Sequence, residues 1–212
     1  RPIDLHLKGL KALNVKIKVE RGYIIADGKN LRGGNVYLGG HFGSSVLATA
    51  NTMMAAVLAR GVTVIENAAR EPEVVALGEL LIHCGIEIEG LGTPRIEIKG
   101  GQLCEPKNPI QVPPDRIETG TWISIAMATN SELTLEGVDA SQCTSVIDAY
   151  RKLGLGIEVQ KDGKEISVFP NGGYRAMDLE TEPYPGFPTD MQAQILTNMT
   201  QVSGRSSVRE NI

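Results

Sequence analysis

The stretch Pro188-Thr189-Asp190-Met191 places residue types that could do chemistry where a ligand is easily bound. Thr189 is predicted to be the N-cap of a helix, and the backbone N–H groups at a helix start favour polar or anionic groups. The helix is continued by apolar residues at helical spacing: Met191, Ile195, Met199 and Val202. By residue type alone, this hydroxyl and carboxylate are an ordinary helix cap, so a function must be argued from the rest of the chain.

Composition limits the classes of protein to consider. The chain has 212 residues, of which 42% are hydrophobic and 22% charged, enough for one large or two ordinary domains. Its net charge of −4 and scattered basic residues exclude the electrostatic footprint of a nucleic-acid or anionic-membrane binder. No apolar run approaches the roughly 20 residues of a membrane span, and no leader is recognisable. We predict a soluble, cytoplasmic protein without nucleic-acid or membrane partners.

The cysteines and histidines are too dispersed to form a shared site. They are Cys84, Cys104, Cys143, His6, His41 and His83, with no CxxC pair. This pattern argues against a disulfide framework and against a zinc centre. We therefore expect reduced thiols, no metal and no cofactor. Because the chain begins at Arg1 without a methionine and stops at Ile212 inside a predicted strand, we also expect a fragment of a longer protein.

Hydrophobic periodicity predicts alternating helices and strands in the first half of the chain. The predicted strands cover residues 15–19, 23–26, 62–67, 86–88 and 96–98. A short helix through Leu10 and Leu13 precedes them. A second helix begins at Val46 behind the N-cap turn Gly43-Ser44-Ser45 and extends towards Gly61, and a third covers residues 74–84.

The same order of elements recurs after about 72 residues, too long for a solenoid repeat and typical of a whole subdomain. Each unit reads as an entry strand followed by helix, strand, helix, strand and strand. Repeats are predicted at about residues 35–100 and 113–170, and a third starts at 175–212. The first helices are apolar on nearly every side, so we expect helices inside and sheets outside. Prolines at 109, 113 and 114 indicate a linker, dividing the chain into domains 1–112 and 113–212.

Four motifs give the chain a specific resemblance. Residues 1–6, 66–73, 114–121 and 188–194 resemble, in order, motifs of the UDP-N-acetylglucosamine 1-carboxyvinyltransferases, and the resemblance covers the whole chain. It implies an α/β fold: an inside-out barrel of repeated βαβαββ subdomains in two domains, shared with the shikimate-pathway enolpyruvyl transferase. It also implies transfer of the enolpyruvyl group of phosphoenolpyruvate to the 3-hydroxyl of UDP-N-acetylglucosamine, with release of phosphate. This reaction is the first committed step of peptidoglycan synthesis, and the resemblance implies a monomeric enzyme.

The resemblance assigns roles to particular residues. Asp190 becomes the base or positioning group at the sugar 3-hydroxyl, with Thr189 as its neighbour. The segment that holds the uridine consists of Arg1, Pro2, Ile3, Asp4 and Leu5. There Asp4 would accept the uracil N3–H, and an extended backbone from Pro2 to Leu5 would meet the base edges. By residue type alone, this segment is an ordinary strand start with a solvated Arg/Asp pair.

Further roles follow from the same resemblance. The turn that cradles the diphosphate consists of Gly43, Ser44, Ser45 and Val46, a geometry that requires small residues and free N–H groups. Ile212 falls where the family has a backbone contact to the nucleotide sugar. Charged positions facing the interdomain cleft are Glu71, Glu73, Asp115 and Arg116. Three of these, Glu71, Glu73 and Asp115, are equally explained as acidic residues at helix starts.

The sequence departs from the family pattern at residues 38–42, where the loop is longer and lacks the usual phosphate-binding lysine. His41 could substitute for that lysine. By resemblance, the catalytic cysteine or aspartate precedes Arg1 and further phosphate-binding arginines follow Ile212, so Cys84, Cys104 and Cys143 should be bystanders. We therefore expect no turnover from this chain by itself.

Two alternatives stay open at this point. One is the shikimate-pathway relative, 3-phosphoshikimate 1-carboxyvinyltransferase, against which the uridine-type segment and the Pro188 to Gln194 motif argue. The other is a paralogue that binds a nucleotide sugar without catalysis, for which the lengthened loop is the support.

Overall fold

The computed structural model describes residues 3–40, 43–106 and 108–212. The chain divides into two compact units, Arg1–Val112 and Pro113–Ile212. The boundary falls in a proline-bearing segment, and residues 108–115 contain neither helix nor strand. In the part of the chain that the structure describes, no helix is both long and apolar enough to cross a lipid bilayer.

The first unit contains three helices and eight short strands in its described residues. In chain order they are α1 (Asp4–Ala12), β1 (Lys16–Glu20), β2 (Tyr23–Asp27), β3 (Asn35–Tyr37), β4 (Gly39–Gly40), β5 (Gly43–Ser44), α2 (Val46–Ala56), β6 (Val62–Glu66), α3 (Pro72–His83), β7 (Glu87–Glu89) and β8 (Arg95–Lys99). The main sheet has the order β3-β6-β8-β7. Strand β3 runs parallel to β6 with α2 as the crossover between them, and the other pairs are antiparallel.

The core of the first unit forms between α2, α3 and one face of the main sheet. Burial alternates along β6 and β8, so that Ile65, Ile96 and Ile98 point inwards and are fully buried. They belong to the same apolar cluster as Met53 of α2 and Val74 of α3. The inward-facing residues of the strands, which alternate with period 2, therefore pack against the apolar side of the helices, which repeats every 3.6 residues.

The second unit follows the same plan. Its elements are α4 (Arg116–Thr129), β9 (Leu133–Glu136), a 3-10 turn (Ala140–Cys143), α5 (Thr144–Leu153), β10 (Gly156–Val159), β11 (Glu165–Phe169), β12 (Asp178–Glu180), a second 3-10 turn (Thr189–Met191), α6 (Gln192–Met199) and β13 (Ser207–Arg209). Strands β10, β11 and β9 form an antiparallel sheet in that order. Strands β12 and β13 are parallel with α6 between them, which repeats the β3-α2-β6 arrangement.

Helices α4 and α6 run parallel and in close contact. A side chain at Gly120 would clash with Met191, because a Cβ there would lie 2.8 Å from the methionine sulfur. Further along both helices, the Asn198 amide donates to the Ser124 carbonyl at 3.0 Å. Contacts advance in the same direction along both helices, so the two N-terminal ends lie at the same end of the second unit.

Most elements lie where the sequence predicts them, and three features differ. Helix α2 ends at Ala56, short of Gly61. The second repeat lacks an entry strand in the described part of residues 101–115, so it is not the complete βαβαββ unit expected at 113–170. The outer face of α2 is not covered, since Leu47 and Met54 are exposed although all-round apolarity predicts burial, and Leu58 just after the helix is exposed as well. The buried positions of α2 are Met53 and four small residues, Ala48, Thr49, Thr52 and Ala56, so most of the packed side is formed by small side chains.

Candidate functional site

The segment predicted to hold uridine forms a helix start. Arg1 and Pro2 lie outside the described residues. Ile3 occupies the N-cap position of α1, and its carbonyl accepts a hydrogen bond from the Leu7 N–H at 3.0 Å. Asp4 and Leu5 are in the first helical turn, so the prediction of an extended backbone is wrong for these two residues. The exposed Asp4 carboxylate lies near the free N–H groups of the helix start, where a negative charge is favourable.

The turn predicted to cradle a diphosphate is a small hairpin followed by a capped helix. Gly43 and Ser44 pair with the strand Gly39–Gly40, and Gly43 has a φ of +98°, which favours glycine. The Ser45 hydroxyl caps α2 by accepting the Ala48 N–H at 3.3 Å, as predicted. Val46 is the first helical residue. His41, which could take the place of the phosphate-binding lysine, lies outside the described residues.

Close packing of α1 on α2 brings these two groups together. Gly9 lies directly against Thr52, where an added Cβ would be 2.0 Å from the threonine hydroxyl oxygen. A Cβ at Gly40 would lie 3.3 Å from the Leu5 side chain, so Leu5 borders the hairpin that leads to Ser45. Within the first unit, the predicted uridine and diphosphate groups are therefore neighbours.

Glu71 lies close to the same helix start and is buried. The Thr49 hydroxyl donates to the Ser45 carbonyl at 2.8 Å and accepts the Ala69 N–H at 3.0 Å, which fastens the segment before α3 to the first turn of α2. Glu71, at the N-cap position of α3, is 8% exposed, and its Oε2 atom has no hydrogen-bond partner among the described residues. An unpaired buried acceptor of this kind is available to a ligand donor. Glu73 lies exposed in the first turn of α3.

The Ser45 cap leads to a stability prediction. We expect Ser45→Ala to lower the free energy of unfolding by about 1 kcal/mol, because the Ala48 N–H loses its acceptor. Chemical denaturation of the complete gene product measures this change. Ser44→Ala is the matched control, since the Ser44 hydroxyl has no hydrogen bond within the described part of the chain. Equal stability of the two variants would contradict the capping role.

The Thr189-Asp190 pair lies in the 3-10 turn that leads into α6. Thr189 was predicted to be the N-cap, and this prediction is wrong. Pro188 occupies that position, and the Thr189 hydroxyl instead donates to Oε2 of Glu210 at 3.0 Å. The Asp190 side chain is exposed, and among the described residues its carboxylate has no hydrogen-bond or ion-pair partner. The carboxylate is thus available to accept a proton or a hydrogen bond from a ligand.

Asp115 and Arg116 lie at the start of α4. The Asp115 carboxylate accepts two backbone N–H groups of the first turn at 2.7 and 3.1 Å, so it acts as the helix cap. The Arg116 guanidinium lies over the Tyr184 ring, 5.6 Å from its centroid. Since α4 and α6 are parallel, this pair and Asp190 occupy the same end of the second unit.

Ile212 is connected to this end through Glu210, a residue that the sequence did not single out. Oε1 of Glu210 accepts the Thr181 hydroxyl at 2.7 Å and the Ile212 N–H at 2.8 Å. Burial alone would raise the pKa of Glu210, but hydrogen bonds from Thr181, Ile212, Thr189 and Asn211 together lower it. Residues 207–211 (Ser-Val-Arg-Glu-Asn) resemble residues 63–67 (Thr-Val-Ile-Glu-Asn). This likeness does not reveal the partners of Glu210, which are 21 and 29 residues away.

The three cysteines were expected to be bystanders, and the Sγ atom of Cys143 lies 3.9 Å from the Arg116 carbonyl oxygen at the start of α4. All three are free, and burial, followed by the nearby Asp139 carboxylate, raises the pKa of Cys143 to about 11. Cys143 is therefore a thiol at neutral pH and a poor nucleophile. Over residues 3–40, 43–106 and 108–212, no group of three or more His, Cys, Asp or Glu side chains is arranged to hold a metal ion.

Comparisons with known proteins identify relatives of the whole chain. A UDP-N-acetylglucosamine 1-carboxyvinyltransferase of Thermodesulfovibrio yellowstonii is 42% identical over 212 residues, covering 100% of this chain and 50% of the relative. One of the same name from Nitratidesulfovibrio vulgaris is 44% identical over 215 residues, with the same coverage. The chain spans about half the length of the curated relatives it matches.

Solved structures show the same fold at lower identity. The enolpyruvyl transferase NikO from Streptomyces tendae superposes with a TM-score of 0.86 and 18% identity over 100% of this chain and 52% of its own. EPSP synthase from Acinetobacter baumannii superposes with a TM-score of 0.65 and 19% identity, and the match covers 98% of this chain and 48% of that protein's chain. The α/β fold of enolpyruvyl transferases is therefore confirmed. A family model described as EPSP synthase (3-phosphoshikimate 1-carboxyvinyltransferase) matches residues 1–212, and the chain belongs to that family.

Proposed function

We propose that the complete protein transfers the enolpyruvyl group of phosphoenolpyruvate to the 3-hydroxyl of UDP-N-acetylglucosamine and releases phosphate. The observation that carries this proposal is the match of the whole chain to relatives named for that activity at 42% and 44% identity. In the reaction, the sugar oxygen bonds to C2 of phosphoenolpyruvate while a proton adds to C3. The C2–O bond to phosphate then breaks and C3 loses a proton, which restores the double bond.

Asp190 is the proposed proton acceptor for the sugar 3-hydroxyl. A carboxylate is too weak a base to remove a hydroxyl proton outright, so it accepts the proton as the new C–O bond develops. Its exposed position at a turn before α6, with no hydrogen-bond partner among residues 3–40, 43–106 and 108–212, supports this role. Thr189 is the proposed second contact to the sugar.

The first unit is proposed to contribute the nucleotide contacts. The Asp4 side chain accepts the uracil N3–H from the first turn of α1, with Arg1, Pro2, Ile3 and Leu5 around the base. The diphosphate lies at the start of α2, on Gly43, Ser44, Ser45 and Val46, where the first N–H groups of the helix lack intrahelical partners. Ile212 supplies a backbone contact to the nucleotide sugar. Four charged residues determine the electrostatic environment of the substrates: Glu71, Glu73, Asp115 and Arg116.

The wider setting is proposed on the same basis. Residues 1–112 belong to the UDP-sugar-binding domain and 113–212 to the catalytic domain of a monomeric enzyme of peptidoglycan synthesis. The three free thiols are typical of a reducing compartment, which supports the cytoplasm as its location.

A calorimetric titration of the complete gene product tests the substrate assignment. We expect a saturating binding signal with UDP-N-acetylglucosamine and none with shikimate 3-phosphate. The reverse result would replace the proposal by the shikimate-type activity. Binding without phosphate release in the presence of phosphoenolpyruvate would instead indicate a sugar-nucleotide-binding protein without catalysis.

A further inference from the structure

Glu210 connects three parts of the second unit through one carboxylate. Its Oε1 atom accepts the hydroxyl of Thr181, which follows β12, and the N–H of Ile212. Its Oε2 atom accepts the hydroxyl of Thr189 in the turn before α6. Thr181 is fully buried and its hydroxyl oxygen also accepts the Asn211 N–H at 2.9 Å, so one side of this network is fixed from the core.

The network determines which way the Thr189 hydroxyl can act. A hydroxyl has one proton to donate and two lone pairs with which to accept. An ionised carboxylate can only accept, so the single proton of Thr189 is committed to Glu210. The hydrogen bonds that lower the pKa of Glu210 keep this carboxylate ionised at neutral pH. Thr189 therefore offers only lone pairs to a ligand beside Asp190.

We propose that Glu210 is a positioning residue that holds Thr189 as a hydrogen-bond acceptor for a hydroxyl of the sugar substrate. The inference rests on the proposed function and adds the specificity of the site. The side chains of Thr189 and Asp190 together offer only acceptors, a surface that favours a ligand group that donates. A sugar with neighbouring hydroxyls fits such a surface, whereas a phosphate oxygen or a carbonyl oxygen at the same place would face lone pairs.

Replacement of Glu210 by glutamine reverses this arrangement with little change in shape. The side-chain carbonyl must accept from Thr181 and Ile212, so the amide NH₂ group faces Thr189. The Thr189 oxygen then accepts from the amide, and its proton turns outwards to the ligand. We expect Glu210→Gln in the complete gene product to lower kcat/KM for UDP-N-acetylglucosamine by about 10- to 100-fold. The KM for phosphoenolpyruvate should stay within about twofold, because that substrate is not bound by Thr189.

A double-mutant cycle separates this positioning role from a structural one. If Glu210 acts through Thr189, Thr189→Val removes the hydroxyl, and Glu210→Gln in that background should change kcat/KM by less than about threefold. Thr181→Val is the matched control. It removes another donor of the same carboxylate and leaves the Thr189 contact in place, so we expect a lower unfolding temperature and an effect on kcat/KM that adds to that of Thr189→Val.

The outcomes separate the inference from the proposed function. Activity of Glu210→Gln equal to wild type, or an equal loss in the Thr189→Val background, would overturn the positioning role while the transferase activity stands. Absence of wild-type phosphate release would overturn the proposed function first. If Glu210→Gln does not fold, Glu210→Asp replaces it in the cycle, because the shorter carboxylate cannot reach both threonines. Wild-type activity of Glu210→Asp, or an equal loss in the Thr189→Val background, would then overturn the positioning role.

Discussion

The Asp190→Asn variant of the complete gene product is expected to release phosphate about 100 to 10,000 times more slowly than the wild type when both substrates are saturating. The amide has the size of the carboxylate and cannot take the proton of the sugar hydroxyl. Since Asp190 is exposed and has no partner among the described residues, the substitution breaks no contact of the fold. A continuous phosphate-release assay measures the loss in kcat.

Asp148→Asn provides the control for this measurement. Asp148 lies on the exposed side of α5 and pairs with Lys152 at 2.6 Å, one turn further on. Exposed pairs of this kind contribute little to stability, so the variant should keep its kcat within about twofold. A wild-type rate for Asp190→Asn would remove Asp190 from the reaction and leave the sugar hydroxyl without an assigned acceptor.

Asn198→Leu is expected to have the largest effect on stability, a loss of about 2–4 kcal/mol. Asn198 is fully buried between α4 and α6 and accepts the Ser124 hydroxyl at 2.5 Å and the Tyr150 hydroxyl at 3.1 Å. Leucine has a similar shape but accepts nothing, so the buried Tyr150 hydroxyl would lose the Asn198 oxygen as its acceptor. Ser124 would retain its weaker bond to the Gln194 carbonyl at 3.3 Å. Chemical denaturation with a probe in the second unit measures the change.

The double variant Asn198→Leu/Tyr150→Phe shows whether the Tyr150 hydroxyl, deprived of this acceptor, causes the loss. Removing both partners of a buried hydrogen bond costs less than removing one, because no polar group is then left unpaired. We expect the double variant to recover at least about 1 kcal/mol of what Asn198→Leu loses. If the double variant is as unstable as the single one, packing around residue 198 and not hydrogen bonding determines the loss.

The elements whose signals are local could be predicted from the sequence. Ser45 was predicted as a helix cap and Asp115 as an acidic residue at a helix start, because both signals are local, and each side chain accepts from backbone N–H groups of the first turn. Strand β6 (Val62–Glu66) falls where residues 62–67 were predicted to form a strand, since its alternation is unbroken and Asn67 ends it with a φ of +55°.

The misses have long-range causes. The segment at Asp4 and Leu5 was predicted to be extended, but α1 is fixed by the contact of Gly9 with Thr52, a residue 43 positions later. Thr189 has the residue type of a cap, and its hydroxyl is engaged by Glu210 instead. The roles in substrate binding came from the family resemblance, because an acidic residue or a glycine-containing turn does not by its type identify the ligand that it binds.

The order of elements in the three repeats relates residues for which different roles are proposed. The first helix of each repeat begins at a pair of these residues. The pairs are Ser45 and Val46, Asp115 and Arg116, and Thr189 and Asp190. If the repeats arose by duplication of one ancestral gene segment, each copy inherited the same position at a helix start. Changes of the side chains at that position are then what separates the proposed diphosphate cradle from the proposed proton acceptor.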